Sequence, residues 1–497
     1  MGEAQGTLFP LRFNRSLHLR STPERLTADS GAVLLRKIGE RLGLWRLLER
    51  ELADPRDPER ITHPFVELLR TAVLAPAQGW CRQRDVDFLR DDPAFRLAVS
   101  KRRGEGPLRP PEDGAARVPD GLASQATMSR LMAGLSAPEN RDGLSRVMCG
   151  WAARREGLSV RRPREEIVVD LDSLPQEVHG HQEGSAYNGH YRCRCFHPLV
   201  LSWEFGDFLD ARLREGNVYT STDALEFVRP HLRWVGALTR RGWLRIDAGF
   251  PDEDFLAGVE AEAPWRYVSR LRSNAVLERR AEPYVAEIVA KGEAREERTH
   301  VIELGGYRAE HAKKKWSRER RVVLVIEERP RELVPHWFFL VTNASAQEAS
   351  GMALLERYRR RGRTEKDYGE WQNALKVALS STNRTKGGYL GEPPRRRSRP
   401  VDSFAVNEAL LLVSLLTANL MHVGRVLVER ATSRTWSRQT FRQWVLKTPG
   451  RVARHARYVR LWIHEKRAEL WQAMAAELDR LAGGLSPPRA AALPSAS

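Results

Sequence analysis

The chain has 497 residues and a mass of 56.6 kDa, which exceeds one typical domain and indicates about two to four domains. Hydrophobic residues make up 41% and charged residues 29%, enough for a large buried core. Lys and Arg number 82 against 64 Asp and Glu, so the net charge is +18. This balance disfavours a small-molecule enzyme without a polyanionic partner and favours nucleic acid or an anionic surface.

The basic surplus is regional. Residues 351–497 hold 27 Lys and Arg against 12 Asp and Glu, so +15 of the net charge lies in this last part. Charges that face phosphates together release counterions, which makes a regional surplus a stronger sign of nucleic acid than a diffuse one. We expect phosphate contacts from Arg395, Arg396 and Arg397 and from the run RVARHARYVR at 451–460. The alternative is a basic face that is simply solvated.

Several absences bear on the compartment. Four cysteines in so long a chain give no disulfide framework, which is typical of a reducing environment. The N-terminal sequence has no continuous apolar segment and does not resemble a secretory signal. The longest apolar run, between Glu408 and Arg425, is shorter than the roughly 20 residues of a spanning helix and predicts a buried core helix. No GxxxxGK[ST] loop occurs, so we expect no use of ATP. The expectation is a soluble, intracellular protein without a membrane segment.

Helical patterns dominate the N-terminal part. We expect residues 1–29 to be flexible and residues 30–160 to form a helical DNA-binding region, with helices in GAVLLRKIGERLGLWRLLEREL, HPFVELLRTAVLA and DVDFLRDDPAFRLAVS. Further on, Ser124 can cap a short helix that presents Gln125 and Arg130, side chains suited to base edges and phosphates. The alternative is an ordinary capped helix with a polar outer face.

Strands and helices alternate from residue 161 onward, which argues for an α/β domain. EEIVVDLDSL and HPLVLSWEF, for example, have the β-branched and aromatic composition of strands. The predicted segments are the first part of an α/β core at 161–290, a β-rich insertion at 291–347, a segment completing the core at 348–400 with a long helix over 352–380, a basic helical region at 401–482 and a disordered tail at 483–497.

Carboxylates stand out against this basic background. Because side chains alternate along a strand, Asp170 and Asp172 share one face of IVVDLDS. Asp247 follows a second strand, and Glu365 lies on the long predicted helix. Oxygen ligands on rigid elements suit a pair of Mg²⁺ ions that act on a phosphodiester. The alternative for Glu365 is a surface salt bridge with Arg361 at i,i+4 spacing.

The order of these motifs resembles the DDE transposases of bacterial insertion sequences, in particular the insertion sequence thirteen-eighty family. The resemblance covers most of the chain and is carried by VVDLDSL, VHGHQEGSAYNGHYRCRCFHPLV, ARLREGNVYTSTDALEF, LRIDAGF, LRSNAVL and YRRRGRTE. It implies an α/β ribonuclease H-like catalytic core with a β-rich insertion. An N-terminal all-α DNA-binding region and a C-terminal basic helical region would flank this core.

The resemblance also implies the reaction residues. Asp172, Asp247 and Glu365 match the catalytic, metal-binding triad. Asp172 is preferred for the first position because the small hydroxyl residue Ser173 follows it, and Asp170 is the alternative.

A further motif of the related insertion sequence four group, Tyr-x2-Arg-x3-Glu-x6-Lys, fits the same helix. It implies DNA contacts from Tyr358 and Arg361. Gln372 stands at the lysine position, where Lys366 or Lys376 can substitute in the phosphate contact.

The implied activity is cleavage at transposon ends with two Mg²⁺ ions, or Mn²⁺ in their place, and transfer of the freed 3′-OH into target DNA. The implied partners are double-stranded DNA of the terminal inverted repeats and of the target. Pairing of two ends requires a dimer or a higher assembly. Two alternatives stay open: a structure-specific DNA nuclease without strand transfer, and a non-catalytic DNA-binding relative.

One cluster resembles soft-metal ligands: His190, Cys193, Cys195 and His197. On an extended strand the two cysteines and His197 would share a face. Zinc sites usually use Cys-x2-4-Cys knuckles with a second ligand pair, so packing and DNA-proximal roles within a β-hairpin are the favoured interpretation.

Overall fold

The computed structural model describes residues 8–9, 13, 16–101, 104, 121–178, 180, 182–292, 296–310, 315–332, 334–381 and 402–483. The predicted phosphate contacts Arg395, Arg396 and Arg397 lie outside these residues, as does the predicted tail beyond Gly483.

The helices are α1 (Gly31–Arg41), α2 (Leu44–Glu51), α3 (Phe65–Ala77), α4 (Val86–Leu89), α5 (Pro93–Val99), α6 (Gln125–Leu135), α7 (Pro138–Arg155), α8 (Ala224–Gly236), α9 (Glu253–Glu260), α10 (Ala275–Ala290), α11 (Gly351–Arg359), α12 (Arg361–Leu375), α13 (Ser403–Thr432), α14 (Arg438–Phe441) and α15 (Glu465–Gly483). The strands are β1 (Arg25–Thr27), β2 (Arg164–Ser173), β3 (Gln176–Glu177), β4 (Ala186–Asn188), β5 (Cys193–Phe196), β6 (Leu199–Trp203), β7 (Phe208–Arg212), β8 (Thr239–Ile246), β9 (Trp265–Leu271), β10 (Arg298–Tyr307), β11 (Arg320–Glu328), β12 (His336–Thr342), β13 (Gly450–Arg454) and β14 (Val459–Ile463).

An eight-stranded mixed sheet forms the centre of the molecule, in the order β10-β11-β12-β9-β8-β2-β6-β7. β2, β8 and β9 are parallel neighbours, and the other pairs are antiparallel. The apolar run of β2 is buried on both sides because helices cover both faces of the sheet. The carboxyl ends of β2 and β8 therefore meet at one edge of a rigid layer.

The strands of the predicted insertion continue this sheet instead of forming a separate layer. β10, β11 and β12 form an antiparallel meander, and β12 pairs with β9 through Val268 to Leu271. The apolar residues of β11 are buried against both flanking cores, which leaves the meander no independent core of its own. Residues 298–342 thus contribute three strands to the central sheet.

The apolar run between Glu408 and Arg425 is confirmed as part of a core helix. Among the described residues, α13 is the one helix long and apolar enough to cross a membrane, and 89% of its most apolar window is buried inside the fold. Asp402 begins the helix by accepting a hydrogen bond from the Ala405 backbone N–H. Within the helix, the Asn419 amide pairs with both backbone polar groups of Phe208 on the edge strand β7, at 2.8 Å each.

The two ends of the described chain depart from the sequence-based expectation. The region 401–482 was expected to be helical, but β13 and β14 form an antiparallel hairpin within it. β1 lies in the segment expected to be flexible, and it pairs with β13 along Arg25 to Thr27. Both differences share a cause: Val452 is buried beneath this small sheet, while arginines at every third position from 451 to 460 hide the strand pattern.

Three predicted helices are divided. Gly43, with φ of 76°, separates α1 from α2, a left-handed conformation that glycine adopts without strain. Asp92 caps a new helix before Pro93 and so separates α5 from α4. The helix expected over 352–380 breaks at Arg360 into α11 and α12.

Candidate active site

Asp170 and Asp172 lie on the same face of β2, as the alternation predicts, and both face α12. The two side chains are almost fully buried, with residue exposures of 1% and 5%. Thr364 donates a hydrogen bond to Asp170 at 3.0 Å, and Arg361 Nη2 lies 2.6 Å from Asp172 Oδ2. The end of β2 therefore presents its two carboxylates to neighbouring turns of one helix.

Their electrostatic surroundings differ. Arg245 of β8 donates two hydrogen bonds to Asp170, at 2.7 and 2.6 Å, so this buried charge is fully paired. Burial raises the pKa of Asp172 to about 7; the charge of Arg361 opposes that shift, and the charges of Asp247 and Glu365 add to it. Asp172 is thus a buried carboxylate that a further cation would stabilise in its charged form.

Asp247 follows the last residue of β8, in a turn that fixes its side chain. Its Oδ1 accepts a hydrogen bond from the Gly249 N–H at 2.7 Å, and its carbonyl accepts one from Ser269 Oγ at 2.9 Å. Asp170 pairs in register with Arg245, so Asp172 and Asp247 each lie two residues beyond that pair on parallel strands. This register explains why Asp247 raises the pKa of Asp172.

Glu365 comes to the same place from the first turns of α12. Arg361 donates to Glu365 through Nη1 and to Asp172 through Nη2, so one guanidinium bridges the helix carboxylate and the strand carboxylate. Burial by itself would lower the pKa of Arg361, but Asp172, Glu365 and Asp247 raise it and keep the group charged. The side chain of Glu365 is 56% exposed, which leaves it accessible from solvent.

Within the part of the chain that the structure describes, no three His, Cys, Asp or Glu side chains are close enough to form a metal-binding group. Arg361 lies between two of the carboxylates instead. The available donors are nevertheless all carboxylate oxygens, the ligands that Mg²⁺ and Mn²⁺ prefer. The burial of Asp172 and the mutual repulsion of the three charges suit a divalent cation, so the residues fit one.

The predicted DNA contacts on α11 and α12 differ in how exposed they are. Tyr358 on α11 is half-buried with its ring 6.4 Å from that of Phe338, and burial raises its pKa. Lys366 is exposed on α12. Gln372, which stands where the related motif has lysine, donates to the carbonyl of Pro175 at 3.2 Å and so supports the loop after β2.

The short helix α6 begins after Ser124 as predicted, but the Ser124 side chain makes no capping hydrogen bond. It lies 3.3 Å from Thr127 Oγ1 instead. Gln125 donates to Ser129 at 3.2 Å, while Arg130 is exposed on the helix surface. Of the two predicted DNA contacts, Arg130 is therefore the more accessible.

The cysteine–histidine cluster packs as a β-hairpin next to the carboxylates. Cys195 is fully buried, and burial together with Cys193 raises its pKa to about 11. His197 Nε2 lies 2.9 Å from Ser173 Oγ, and burial and Arg214 lower the pKa of this histidine. The cluster supports the end of β2, in agreement with the favoured interpretation.

Sequence reasoning did not identify the supporting residues Arg245 and Thr364. Arg245 precedes Asp247 by two residues, so the strand alternation that paired Asp170 with Asp172 could also have placed Arg245 and Asp247 on one face. That signal becomes specific only when the register between β2 and β8 is known.

A comparison with protein families completes this picture. Residues 9–388 match the family model described as transposase DDE domain group 1. The chain belongs to the DDE transposases. The transposase is thus an enzyme of DNA cleavage and strand transfer, and its family acts on DNA with divalent metals. A search of curated proteins found no match. The mixed sheet with its covering helices is compatible with a ribonuclease H-like core.

Proposed function

We propose that this transposase cuts DNA at the ends of an insertion sequence and joins the freed 3′-OH to target DNA, with Asp172, Asp247 and Glu365 as its reaction-centre carboxylates. One observation carries the proposal. Arg361 hydrogen-bonds both Asp172 of β2 and Glu365 of α12, and the charge of Asp247, directly after the parallel strand β8, also helps to keep this guanidinium charged. The motifs of the sequence favour the insertion sequence thirteen-eighty family within the DDE transposases.

Asp172 is the better first member of the triad than Asp170. Both oxygens of Asp170 are already paired with Arg245, and Thr364 adds a third hydrogen bond. Asp172 is held by the Ser173 N–H and by Arg361, so it has a polar partner that substrate or metal can replace. Asp170 therefore acts as a structural carboxylate that holds α12 against β2.

Two Mg²⁺ ions, or Mn²⁺ in their place, would be held by Asp172, Asp247 and Glu365 and would supply an activated nucleophile and charge neutralisation at the phosphodiester. The protein's own part is to position the reacting phosphate. Arg361 and Tyr358 face the carboxylates from α12 and α11, where a guanidinium and a phenol can hold phosphate oxygens. Lys366 adds a positive charge on the exposed side of the same helix.

The substrate is double-stranded DNA of the terminal inverted repeats and of the target, and pairing of two ends requires a dimer or a higher assembly. Arg130 and Gln125 on α6 supply further contacts to the duplex, with Arg130 on phosphate. Arg395, Arg396 and Arg397 remain predicted phosphate contacts.

The test is cleavage of a labelled duplex made from the DNA that borders the coding sequence, with Mg²⁺ and the full-length protein. Asp172→Asn, Asp247→Asn and Glu365→Gln each remove a carboxylate with little change of volume, and we expect a rate loss of about 10³-fold, since ligand charge is worth several kcal/mol. Glu282→Gln, at an exposed position of α10, is the matched control.

Each outcome separates the candidates. A nicked 3′-OH product that joins a second duplex, formed by the wild type and the control alone, supports the proposal and its residues. Cleavage by the three variants at the wild-type rate means that the triad is wrong. Cleavage without joining favours a nuclease, and binding without cleavage under Mg²⁺ or Mn²⁺ favours a non-catalytic relative.

A further inference from the structure

The small sheet of β1, β13 and β14 has a solvent-facing side rich in arginine and aromatic residues. Register places Arg451 opposite Trp462 and Ala453 opposite Arg460, so these four side chains share one face. The other face buries Val452. The exposed side thus presents cations and rings, where the exposed face of a purely structural sheet would show mixed polar residues.

Arginine and aromatic rings contact one another across this face. The Arg460 guanidinium lies 4.8 Å from the ring centroid of Tyr458 and 5.8 Å from that of Trp462, and Arg451 lies 5.9 Å from Trp462. Tyr458 and Trp462 are 46% and 49% exposed despite these contacts. The rings orient the guanidiniums while leaving their outer edges open to solvent.

The charge of this region has one sign. Residues 447–464 contain five Lys and Arg and no Asp or Glu. Arg451 is paired with Glu24 of the segment before β1, in an ion pair that is nearly half exposed at both side chains. Such exposed pairs contribute little to stability, so a phosphate can replace Glu24 at small cost.

The segment before the hairpin is fixed to the catalytic helix. The fully buried Arg438 of α14 donates to the carbonyl and carboxylate of Asp367, at 3.1 and 3.2 Å, and to Glu370. Arg442 donates to the carbonyl of Ala374 at 2.7 Å. Because all three partners lie on α12, the segment that leads into the hairpin is held directly on the helix that carries Glu365.

We propose that the face formed by Arg451, Tyr458, Arg460 and Trp462, together with the exposed Arg457 in the turn between β13 and β14, here called the hairpin face, binds duplex DNA beyond the phosphate at the reaction centre. The inference rests on the proposed function and adds a second contact surface to it. Arginines spaced along a two-stranded ribbon can contact successive phosphates, and the exposed rings can pack on deoxyribose. The anchoring of α14 on α12 connects the bound duplex, through the segment before the hairpin, to the helix that carries Glu365.

The test compares full-length wild type with Arg457→Ala/Arg460→Ala/Trp462→Ala in binding to a fluorescent random-sequence duplex over a range of salt concentrations. Loss of two phosphate contacts should lower the slope of log affinity against log salt by about 1.8 and weaken binding about tenfold at moderate salt. Arg457→Lys/Arg460→Lys should keep the slope. Arg279→Ala/Tyr284→Ala/Lys291→Ala, at exposed positions of α10 and of the residue directly after it, is the control for equal loss of charge and aromatic surface.

A triple variant with unchanged affinity and slope overturns the hairpin face but leaves the proposed function intact, because the wild type still binds and cuts. A wild type that binds no duplex overturns both. Vesicles containing phosphatidylserine serve as the competing probe. If the wild type binds the vesicles through the hairpin face and does not bind DNA, the proposal is also overturned.

Discussion

Asp170 and Arg245 form a bidentate ion pair between two adjacent parallel strands, with both side chains almost completely buried. The guanidinium also donates to the carbonyl of Arg357 in α11 at 3.2 Å. Thr364 of α12 completes the pairing of Asp170. This pair connects the centre of the sheet to both helices that bring Tyr358 and Glu365 to the site.

Asp170→Asn should therefore destabilise the transposase more than it affects the chemistry of the reaction. Removal of one partner leaves the Arg245 charge buried without compensation, which costs about 3–5 kcal/mol. We expect a large fall in the thermal unfolding temperature, measured by calorimetry. Asp170→Leu/Arg245→Met should recover much of the loss, because an apolar pair can replace a buried ion pair. A stable but inactive Asp170→Asn would instead assign Asp170 to the reaction.

Arg361→Gln should strengthen the binding of Mg²⁺. In the absence of metal, Arg361 is the cation that lies between Asp172 and Glu365, so its loss leaves mutual repulsion that a divalent ion relieves. We expect about tenfold tighter Mg²⁺ binding, or about 1.4 kcal/mol, measured from the rise in unfolding temperature across a metal titration. Arg363→Gln, exposed on the same helix, is the control. Equal Mg²⁺ affinities would show that Arg361 does not compete with metal.

Asp210→Asn should produce a stability defect that depends on pH. Burial lowers the pKa of His231, but the hydrogen bond to Asp210, with Nε2 and Oδ2 3.0 Å apart, dominates, and the pKa is raised to about 10. The folded pKa thus exceeds the unfolded value of about 6.5, so this stabilisation is complete below pH 6.5 and is lost as pH rises toward 10.

We expect Asp210→Asn to cost about 3 kcal/mol at pH 6 and progressively less up to pH 10, measured by urea unfolding at a series of pH values. Asp91→Asn, at an exposed position, should show no such trend. A defect of constant size across this range would mean that His231 is neutral in the folded protein.

Asn419→Ala should lower stability by about 2–4 kcal/mol, because it leaves the buried N–H and C=O of Phe208 without partners. The unfolding temperature is the measure, and Asn373→Ala, exposed on α12, controls for the change in helix propensity. If the two variants unfold at the same temperature, Asn419 does not stabilise the sheet edge.

The local patterns of the sequence predicted much of this arrangement. The alternation in IVVDLDS placed Asp170 and Asp172 on one face, and helical spacing placed Arg361 beside Glu365. Local patterns could not predict the contacts between residues that are distant in sequence. Arg245 looks like an ordinary basic residue until the parallel register with β2 is known.

Two further features could not be predicted from local patterns. α13 carries Asn419 and other polar residues inside an apolar run, and these are explained only by the backbone groups that they pair with. The β13–β14 hairpin was mistaken for helix because arginines occupy most of its exposed positions, so that little beyond Val452 and Leu461 indicated a buried side.

The pairing of β1 with β13 joins chain segments that the ribosome makes far apart in time, since 427 residues separate Glu24 from its partner Arg451. The neighbouring contacts, Ser30 N–H to the Thr448 carbonyl and Lys447 to Asp29, likewise wait for the end of translation. A product cut short by a premature stop codon leaves β1 as an unpaired edge strand, prone to aggregation. It also lacks the hairpin face. Truncation before β13 thus removes, in one event, the partner of β1 and the surface proposed here to bind DNA.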